Sequence, residues 1–390
     1  MGGHLSSGYA DLTPDAEQRV KKLADAIVED IAEVYSVGDE LGRGRFALVQ
    51  RLTHLKEKRQ YAAKVLENKS FADEENLEKL ETEIKILRKL EHPHIVGLKE
   101  VVIDKENAYI VMELLGGGEL FNRIVDNGPF PEKDAARLFA QIILSVEYLH
   151  SLQIVHRDVK PENIMYTAEA SDSVKLIDFG YAGVWASDKP LTGLCGTPDY
   201  NAPEVLTWYN SHVDGTPYGK ASDLWSLGVL LYVILSGCSP FSADEQDEIL
   251  KRVSAAQYTF HESEFASISA DAKDLIAKLL VADPSQRLTM ALVLDHPWLK
   301  DTVAVMREEV AAAPETAVSQ TAGGGQAASS ALKQQQAPPT RTADGSAPMG
   351  GEPTAPPQHA PQMQQGGWET TIEPVVTSVG RKQGSCCTIS

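Results

Sequence analysis

The spacing of apolar residues first predicts a helix near the beginning of the chain. Val20, Leu23 and Ile27 recur at intervals of three or four residues, so an amphipathic helix is expected within residues 15–34. The apolar face of this helix can pack on the domain that follows, or it can recruit a partner. Residues 1–34 are therefore interpreted as an N-terminal extension.

Between residues 35 and 115 the pattern changes to the alternation that is typical of strands. Apolar and polar residues alternate around Leu48 and Leu52, and an apolar run follows at residues 61–66. Residues 77–90 return to helical spacing. The pattern predicts a small lobe built from an antiparallel sheet and one main helix.

A larger, mainly helical lobe is expected from residue 118 to about residue 300. Its most apolar helix should begin near Ser222, and its apolar core of roughly a dozen residues is too short to span a bilayer. The composition then changes, because residues 301–367 contain no aromatic residue and are rich in Ala, Gln, Pro, Gly, Ser and Thr. Such a composition predicts a disordered tail over residues 301–390.

Two candidate phosphate-binding features lie in the small lobe. Gly42 and Gly44 allow a tight turn whose N–H groups can approach phosphate oxygens, although a plain hairpin turn can use the same glycines. Lys64 lies inside an apolar run and needs a partner there. Glu83 falls on the same helical stripe as Leu80 and is predicted to pair with Lys64. A solvated glutamate on a highly charged helix is the alternative.

Residues 156–163 combine three groups that suit phosphoryl transfer. The carboxylate of Asp158 can accept a hydroxyl proton, Lys160 can neutralise a transferring phosphoryl group, and the amide oxygen of Asn163 can bind a divalent metal. Asp178 begins an Asp-Phe-Gly sequence after an apolar strand and is a second candidate metal ligand. A polar surface loop with the same residues is the alternative, but the order of these features argues against it.

Together these sequences resemble the catalytic loop and the Asp-Phe-Gly motif of eukaryotic protein kinases. The resemblance implies an α+β fold with two lobes over residues 35–300, and it implies ATP and Mg²⁺ as cofactors. Asp158 and Lys160 would then be catalytic. Asn163 would be catalytic too and would bind the metal together with Asp178.

The same resemblance implies a nucleotide site between the lobes. Lys64, fixed by Glu83, would hold the α- and β-phosphates, and Ala47 replaces the third glycine of the family's loop. The other residues implied to contact the nucleotide are Leu41, Gly42, Arg43, Gly44, Arg45, Phe46, Leu48, Val49, Ala62, Glu113, Leu115 and Met165.

Two other functions remain open at this point. A catalytically silent scaffold that only binds nucleotide would be expected to lack Lys64, Asp158 or Asp178, and all three are present. A small-molecule or lipid kinase is the other alternative, and the segment around Thr197 together with Glu119 argues against it.

Among the kinases, the chain resembles the calcium/calmodulin-dependent protein kinase group of Ser/Thr kinases. Lys160 and the segment 195–198, which includes Thr197, are similar to Ser/Thr rather than Tyr kinases. Glu119 and Glu162 match acidic positions that bind an arginine upstream of the phosphorylated residue. The resemblance implies protein substrates with basic residues before the target Ser or Thr, and a role in signalling.

Two departures from the group concern regulation. Arg157 in many relatives binds an activation-loop phosphate, but Gly193 stands at the usual phosphorylated position. Thr192 can substitute for it, or the switch is lost. Residues 301–311 contain Arg307 among acidic residues, so they do not provide the basic amphipathic helix of a calmodulin site.

Net charge and the two chain termini bear on the cellular setting. The formal net charge of -19 argues against nonspecific nucleic-acid binding, and four cysteines without a disulfide framework are typical of the cytoplasm. Cys387 begins a C-a-a-X prenylation motif, Cys386 is a candidate for palmitoylation, and Gly2 is a candidate for myristoylation. Membrane association through lipidation is therefore expected, with a chance occurrence of these short motifs as the alternative.

Overall fold

The structure of the chain is a computed structural model, which describes residues 12–44, 47–186, 191, 195–211 and 218–312. These residues form a smaller lobe rich in strands and a larger, mainly helical lobe, which confirms the α+β fold that the resemblance implied. Several residues named above lie outside the described residues: Gly2, Arg45, Phe46, Thr192, Gly193, Cys386 and Cys387.

The small lobe contains one sheet of six strands, counted over the described residues. Its elements in chain order are α1 (Pro14–Leu23), β1 (Ala26–Ile27), β2 (Tyr35–Arg43), β3 (Leu48–His54), β4 (Gln60–Glu67), α2 (Glu74–Leu87), β5 (Leu98–Ile103) and β6 (Asn107–Glu113). The strand order across the sheet is β1-β5-β6-β4-β3-β2. Only β1 and β5 among these neighbours run parallel, so the sheet is antiparallel over most of its width.

The N-terminal extension belongs to this small lobe. Helix α1 is shorter than the predicted range of 15–34, because the backbone becomes extended at Ala24. Asp25 then pairs with β5: its N–H donates to the carbonyl of Val101 at 2.8 Å, and its carboxylate accepts from the N–H of Val101 at 2.8 Å. Ile27, predicted on the helix, lies on strand β1 and is 56% exposed.

The large lobe is mainly helical. Its elements in chain order are α3 (Leu120–Asn127), α4 (Glu132–Ser151), β7 (Ile154–Val155), β8 (Ile164–Tyr166), β9 (Val174–Leu176), β10 (Gly183–Val184), α5 (Pro203–Ser211), α6 (Lys220–Ser236), α7 (Gln246–Ser254), α8 (Glu262–Phe265), α9 (Ala270–Leu279), α10 (Met290–Leu294) and α11 (Lys300–Ala312). Helix α6 is buried from Ser222 onward, which makes it the core helix that the sequence predicted. Among the described residues, none of the helices has the length and apolar character needed to cross a membrane.

A buried ion pair connects separate parts of the large lobe. Arg287 donates to both carboxylate oxygens of Glu204 on α5, at 2.8 and 2.9 Å, and to the carbonyl of Ala221 on α6 at 2.6 Å. The Arg287 side chain has no exposed surface, and its guanidinium lies 5.2 Å from the ring centre of Trp225. The pair therefore fixes α5 and the beginning of α6 to the segment that follows α9.

Helix α11 corrects the prediction that the chain is disordered from residue 301 onward. Val303 and Met306 are each 4% exposed and belong to the core of the large lobe. Arg307 donates to the carboxylate of Glu147 on α4 at 2.6 and 2.7 Å. The composition of the long segment did not indicate this helix. The segment as a whole is polar and rich in alanine, and the few apolar contacts of the helix involve only its first part.

Removing one partner of the buried pair should destabilise the protein more than breaking an exposed pair. Arg287→Ala leaves the carboxylate of Glu204 buried without its cation, so the free energy of unfolding should fall by about 3–5 kcal/mol. Arg307→Ala breaks the half-exposed pair with Glu147 and should cost at most about 1 kcal/mol. Urea unfolding of the full-length variants, followed by circular dichroism, measures both changes. Equal losses in the two variants would contradict this account of the buried pair.

Candidate active site

The connection between the lobes follows β6 and contains two residues predicted to contact the nucleotide. The carboxylate of Glu113 accepts from the N–H of Gly97 at 2.7 Å and from the ammonium of Lys175 at 2.6 Å. Leu115 is buried, with 8% of its surface exposed. Because the Glu113 side chain is engaged in fixing the connection, the backbone here is the part suited to contact a nucleotide base.

Two further predicted nucleotide contacts lie on strands beside this connection. Ala62 on β4 is paired with Met112 on β6, at the small-lobe side. Met165 on β8 forms an isolated bridge with Glu119, at the large-lobe side. Both Ala62 and Met165 are partly buried, and together they approach the connection from the two lobes.

The glycine-containing segment is the turn between β2 and β3, as the alternation predicted. Gly42 is paired with Val49, and the N–H of Gly44 donates to the carbonyl of Ala47 at 2.9 Å. A Cβ atom added to Gly42 would meet no atom within 4 Å. Packing within the protein therefore does not require glycine at this position. A bound group that approaches the backbone closely would require it, because a side chain would occupy the same space.

Lys64 extends from β4 and joins the two lobes. Its ammonium donates to both carboxylate oxygens of Glu83 on α2, at 2.8 and 3.1 Å, and to Asp178 of the large lobe at 3.1 Å. Glu83 is 6% exposed, so the predicted ion pair is present and buried. Burial alone would lower the pKa of Lys64, but the two carboxylates outweigh burial and hold this pKa above its usual value. Lys64 therefore stays protonated between the two carboxylates.

The three groups of the predicted catalytic loop meet around Asp158. The amide nitrogen of Asn163 donates to the carbonyl and to the carboxylate of Asp158, at 2.7 and 2.8 Å. The ammonium of Lys160 lies 3.1 Å from the same carboxylate and donates to the hydroxyl of Thr197 at 2.7 Å. Thr197 donates its N–H to Asp158 at 3.1 Å. The carboxylate is thus held in one orientation by groups from both sides.

A buried aspartate on α6 fixes the backbone of this loop. Asp223 has no exposed surface and accepts from the N–H groups of His156 and Arg157, each at 2.9 Å, and from the ring of His150 at 2.8 Å. Burial would raise the pKa of Asp223, but these donors outweigh it and hold the pKa below its usual value. Arg157 has a φ of 68°, which is costly for a residue with a side chain. The bonds to Asp223 stabilise this conformation.

The Asp-Phe-Gly segment directs Asp178 toward Lys64. Asp178 has a φ of 56°, and its carboxylate accepts from the N–H of Gly180 at 3.2 Å. Phe179 is 1% exposed, and its ring meets the ring of His156 edge-on with centres 5.0 Å apart. A Cβ atom added to Gly180 would lie 3.0 Å from the ammonium of Lys64. The close approach of the lysine therefore explains the glycine at this position.

The oxygen donors beside Lys64 suit Mg²⁺. The N–H of Ile177 donates to the carbonyl of Asn163 at 2.9 Å, which makes Asp178 and Asn163 neighbours. Because Asp158 uses the amide nitrogen of Asn163, the amide oxygen is the atom suited to a metal. Over the described residues, no group of three or more His, Cys, Asp and Glu could hold a metal ion alone. One carboxylate and one amide therefore fit a Mg²⁺ ion whose other ligands are nucleotide phosphates and water.

Three carboxylates lie in or beside the catalytic loop, and within the described residues none of them forms an ion pair with arginine. Burial, followed by the charge of Glu162, raises the pKa of Glu119. Burial also raises the pKa of Glu162, whose Oε2 atom is buried and has no hydrogen-bond partner within the described residues. The pKa of Asp199 is raised by burial as well. Lys160 is the cation that partly offsets the charge of Glu119 and Glu162, and the pKa of both carboxyls nevertheless stays raised.

Arg157, the residue that binds a phosphate in many relatives, contacts other groups of the protein here. Its Nε donates to the carbonyl of Tyr181 at 2.5 Å, and its Nη1 donates to the hydroxyl of Tyr218 at 3.2 Å. The same hydroxyl lies 3.6 Å from the sulfur of Cys195. Sequence reasoning missed Tyr218, because a single tyrosine beside a segment without a clear pattern gives no signal of this contact.

The fold and the site together define a protein kinase, and comparison with known proteins agrees. The pattern of the protein kinase domain family matches residues 35–299. The chain is 42% identical over 272 residues to myosin light chain kinase A of Dictyostelium discoideum, which covers 70% of this chain and 90% of that protein. It is 39% identical over 288 residues to calcium/calmodulin-dependent protein kinase type 1B of Rattus norvegicus, covering 74% of this chain and 81% of the relative.

The chain therefore belongs to the protein kinase family and is a Ser/Thr kinase of the calcium/calmodulin-dependent protein kinase group. This confirms the family and the enzyme class that the sequence motifs predicted. The assignments of individual residues to catalysis, nucleotide, metal and substrate stay predictions, as does lipidation of Gly2, Cys386 and Cys387.

Asp158→Asn should remove most turnover and leave ATP binding intact. The substitution abolishes the base but keeps a side chain of the same size, so kcat should fall by at least about 100-fold. Peptide phosphorylation measures kcat, and titration with a fluorescent ATP analogue measures nucleotide affinity. Asp271→Asn, on the exposed beginning of α9, is the control and should change neither value. An Asp158→Asn variant with the parent's kcat would refute the assignment of the base.

Proposed function

We propose that this kinase transfers the γ-phosphoryl group of Mg²⁺-bound ATP to Ser or Thr in protein substrates that carry basic residues upstream of the target. The observation that carries the proposal is the placement of the Lys64–Glu83–Asp178 network next to the loop that orients Asp158. These two groups of residues supply the phosphate contacts and the base that phosphoryl transfer requires.

In the proposed reaction the substrate hydroxyl attacks the γ-phosphorus. Asp158 accepts the hydroxyl proton as the new P–O bond forms, and the bond from the γ-phosphorus to its bridging oxygen breaks to release ADP. Lys160 neutralises charge on the transferring group, and Lys64 holds the phosphates that stay with ADP. Mg²⁺, held by Asn163 and Asp178, would neutralise phosphate charge.

The preference for basic substrates rests on the carboxylates beside the catalytic loop. Glu119 and Glu162 are partly buried and lose part of their hydration, and the charge of Lys160 offsets this loss only in part, since the pKa of both carboxyls stays raised. A substrate guanidinium can form charge-assisted hydrogen bonds to both groups, and such bonds are stronger than those between neutral groups. An arginine three residues before the target is therefore the proposed specificity element, and Ser is expected over Thr.

Replacing Glu119 should weaken the selection of arginine. Glu119→Gln should raise KM about tenfold for a peptide with Arg three residues before Ser, because a hydrogen bond to a charged group contributes about 1.5–3 kcal/mol. For the same peptide with Ala at that position, KM should not change. Glu262→Gln removes the same charge from exposed helix α8 and serves as the control. If Glu119→Gln left the preference for Arg unchanged, the proposed specificity would be wrong.

Regulation is proposed to be independent of an activation-loop phosphate and of calmodulin. Arg157 is already engaged by Tyr181 and Tyr218, so a phosphate is not needed to satisfy it. Helix α11 buries Val303 and Met306 against the large lobe, leaves Val305 exposed, and carries the acidic residues Glu308 and Glu309. Residues 300–312 therefore do not present a free basic helix of the kind that calmodulin binds.

The full-length protein made in bacteria and treated with phosphatase should phosphorylate a basic peptide without an upstream kinase. Calcium–calmodulin should change its kcat/KM by less than about twofold, because nothing in α11 suits that partner. The assay compares initial rates with calmodulin plus calcium and with calmodulin plus a chelator. A large calcium-dependent stimulation would show that a regulatory site lies elsewhere in the chain and that this part of the proposal is wrong.

A further inference from the structure

Helix α1 packs against α2, the helix that carries Glu83. Ala16, Val20 and Leu23 form its buried face, each at most 6% exposed, and they join the core cluster that also contains the apolar residues of α2. The helix is well defined at its start, where the hydroxyl of Thr13 accepts from the N–H of Ala16 at 3.2 Å. Of the two alternatives that the sequence left open, packing on the small lobe is the one observed.

Arg19 adds a polar contact along the same interface. Its Nε donates to Glu81 at 2.8 Å, and its Nη1 donates to Glu74 in the first turn of α2 at 2.5 Å. The Arg19 side chain is 24% exposed and that of Glu81 is 17% exposed, so solvent screens this pair only in part. One arginine thus bridges two points along the axis of α2.

A second contact ties the other end of α2 to the sheet. Arg88, at the C-terminal cap of α2, donates to the carbonyl of Leu23 at 2.6 Å and to the carboxylate of Asp25 at 2.9 Å. The other carboxylate oxygen of Asp25 accepts from Val101 on β5, at 2.8 Å. Residues 13–28 therefore connect α2 to the sheet that carries Lys64.

Glu81 and Glu83, two of the ion-paired glutamates of α2, face different directions. Glu81 and Glu83 are two residues apart, which corresponds to a rotation of about 200° around the helix axis. Arg19 therefore holds one side of α2 while Glu83 projects from roughly the opposite side to Lys64. In protein kinases the Lys–Glu pair must be formed for activity, and the position of this helix controls it.

We propose that residues 13–28 hold α2 in its catalytic position, and that Arg19 is the positioning residue that keeps Glu83 in contact with Lys64. Arg19 touches neither nucleotide nor the reacting groups and acts through α2 alone. The inference rests on the proposed use of ATP by Lys64, and it does not depend on which peptides the kinase selects. Its consequence is that the N-terminal extension sets the affinity of the kinase for ATP.

The test is a double-mutant cycle between Arg19 and Glu83, two residues that do not contact each other. Full-length parent, Arg19→Glu, Glu83→Gln and the double variant are compared by titration with a fluorescent ATP analogue and by kcat/KM for ATP. Arg19→Glu should weaken nucleotide binding by about three- to tenfold in the parent. In the Glu83→Gln background, Arg19→Glu should change nucleotide affinity by less than about twofold, because the ion pair between Glu83 and Lys64 is already lost.

Two further variants separate positioning from general stability. Lys22→Glu makes the same change of charge on an exposed position of α1 and should leave nucleotide affinity unchanged. Adding Glu81→Arg to Arg19→Glu restores opposite charges at one of the two contacts, while Glu74 still faces a carboxylate at position 19, so it should recover part of the lost affinity. Thermal unfolding of every variant identifies those that lose affinity because they lose structure.

Three results would overturn the proposal. Arg19→Glu could lower the melting temperature with no change in nucleotide affinity. Its effect on affinity could be equal in the parent and in the Glu83→Gln background. Glu81→Arg could fail to restore binding in a variant that melts like the parent. A parent that binds the ATP analogue but does not phosphorylate basic peptides would instead contradict the proposed substrate class, and the binding cycle would still test Arg19.

Discussion

The ion-paired ammonium of Lys64 is the group on which the arrangement of the two lobes depends. It lies between the carboxylates of Glu83 and Asp178, which come from α2 and from the large lobe. Without the lysine, the carboxylates of Glu83, which is buried, and Asp178, which is partly exposed, would face each other with no cation between them. The sheet, α2 and the Asp-Phe-Gly segment are therefore constrained to meet at one point.

The same need to compensate buried charge explains which parts of the site could be predicted from the sequence. A lysine in an apolar run and a glutamate on an apolar helical stripe have few alternatives to pairing, so Lys64 and Glu83 could be matched without a structure. The end of α1 could not be predicted, because Ile27 fits helical spacing as well as the residues before it. Only the pairing of Asp25 with Val101 on a distant strand decides that the helix stops at residue 23. Tertiary contacts of this kind leave no local pattern.

Two residues near the active site, Arg157 and Asp178, have a strained backbone. Both residues have a positive φ, which is costly for a residue with a side chain. Arg157 directly precedes the proposed base Asp158, and Asp178 is itself a candidate metal ligand. Asp223 supports the first through two backbone hydrogen bonds, and the N–H of Gly180 supports the second. Because Asp223 is buried and Gly180 lies two residues after Asp178, the loop and the Asp-Phe-Gly segment are oriented before any substrate binds. Such preorganisation reduces the reorganisation that the reaction itself would otherwise require.

Both flanks of the family-matched region, residues 35–299, contribute to this rigidity. Residues 13–28 add a helix and a strand to the small lobe, and α11 adds a helix to the back of α4. Neither flank reaches the catalytic loop through a contact among the described residues, so each acts on the reaction only through the element it touches. For the C-terminal flank that element is α4, whose buried residues belong to the core of the large lobe. For the N-terminal flank that element is α2, the helix that supplies Glu83. This flank therefore influences the active site through α2, whereas the C-terminal helix mainly adds stability.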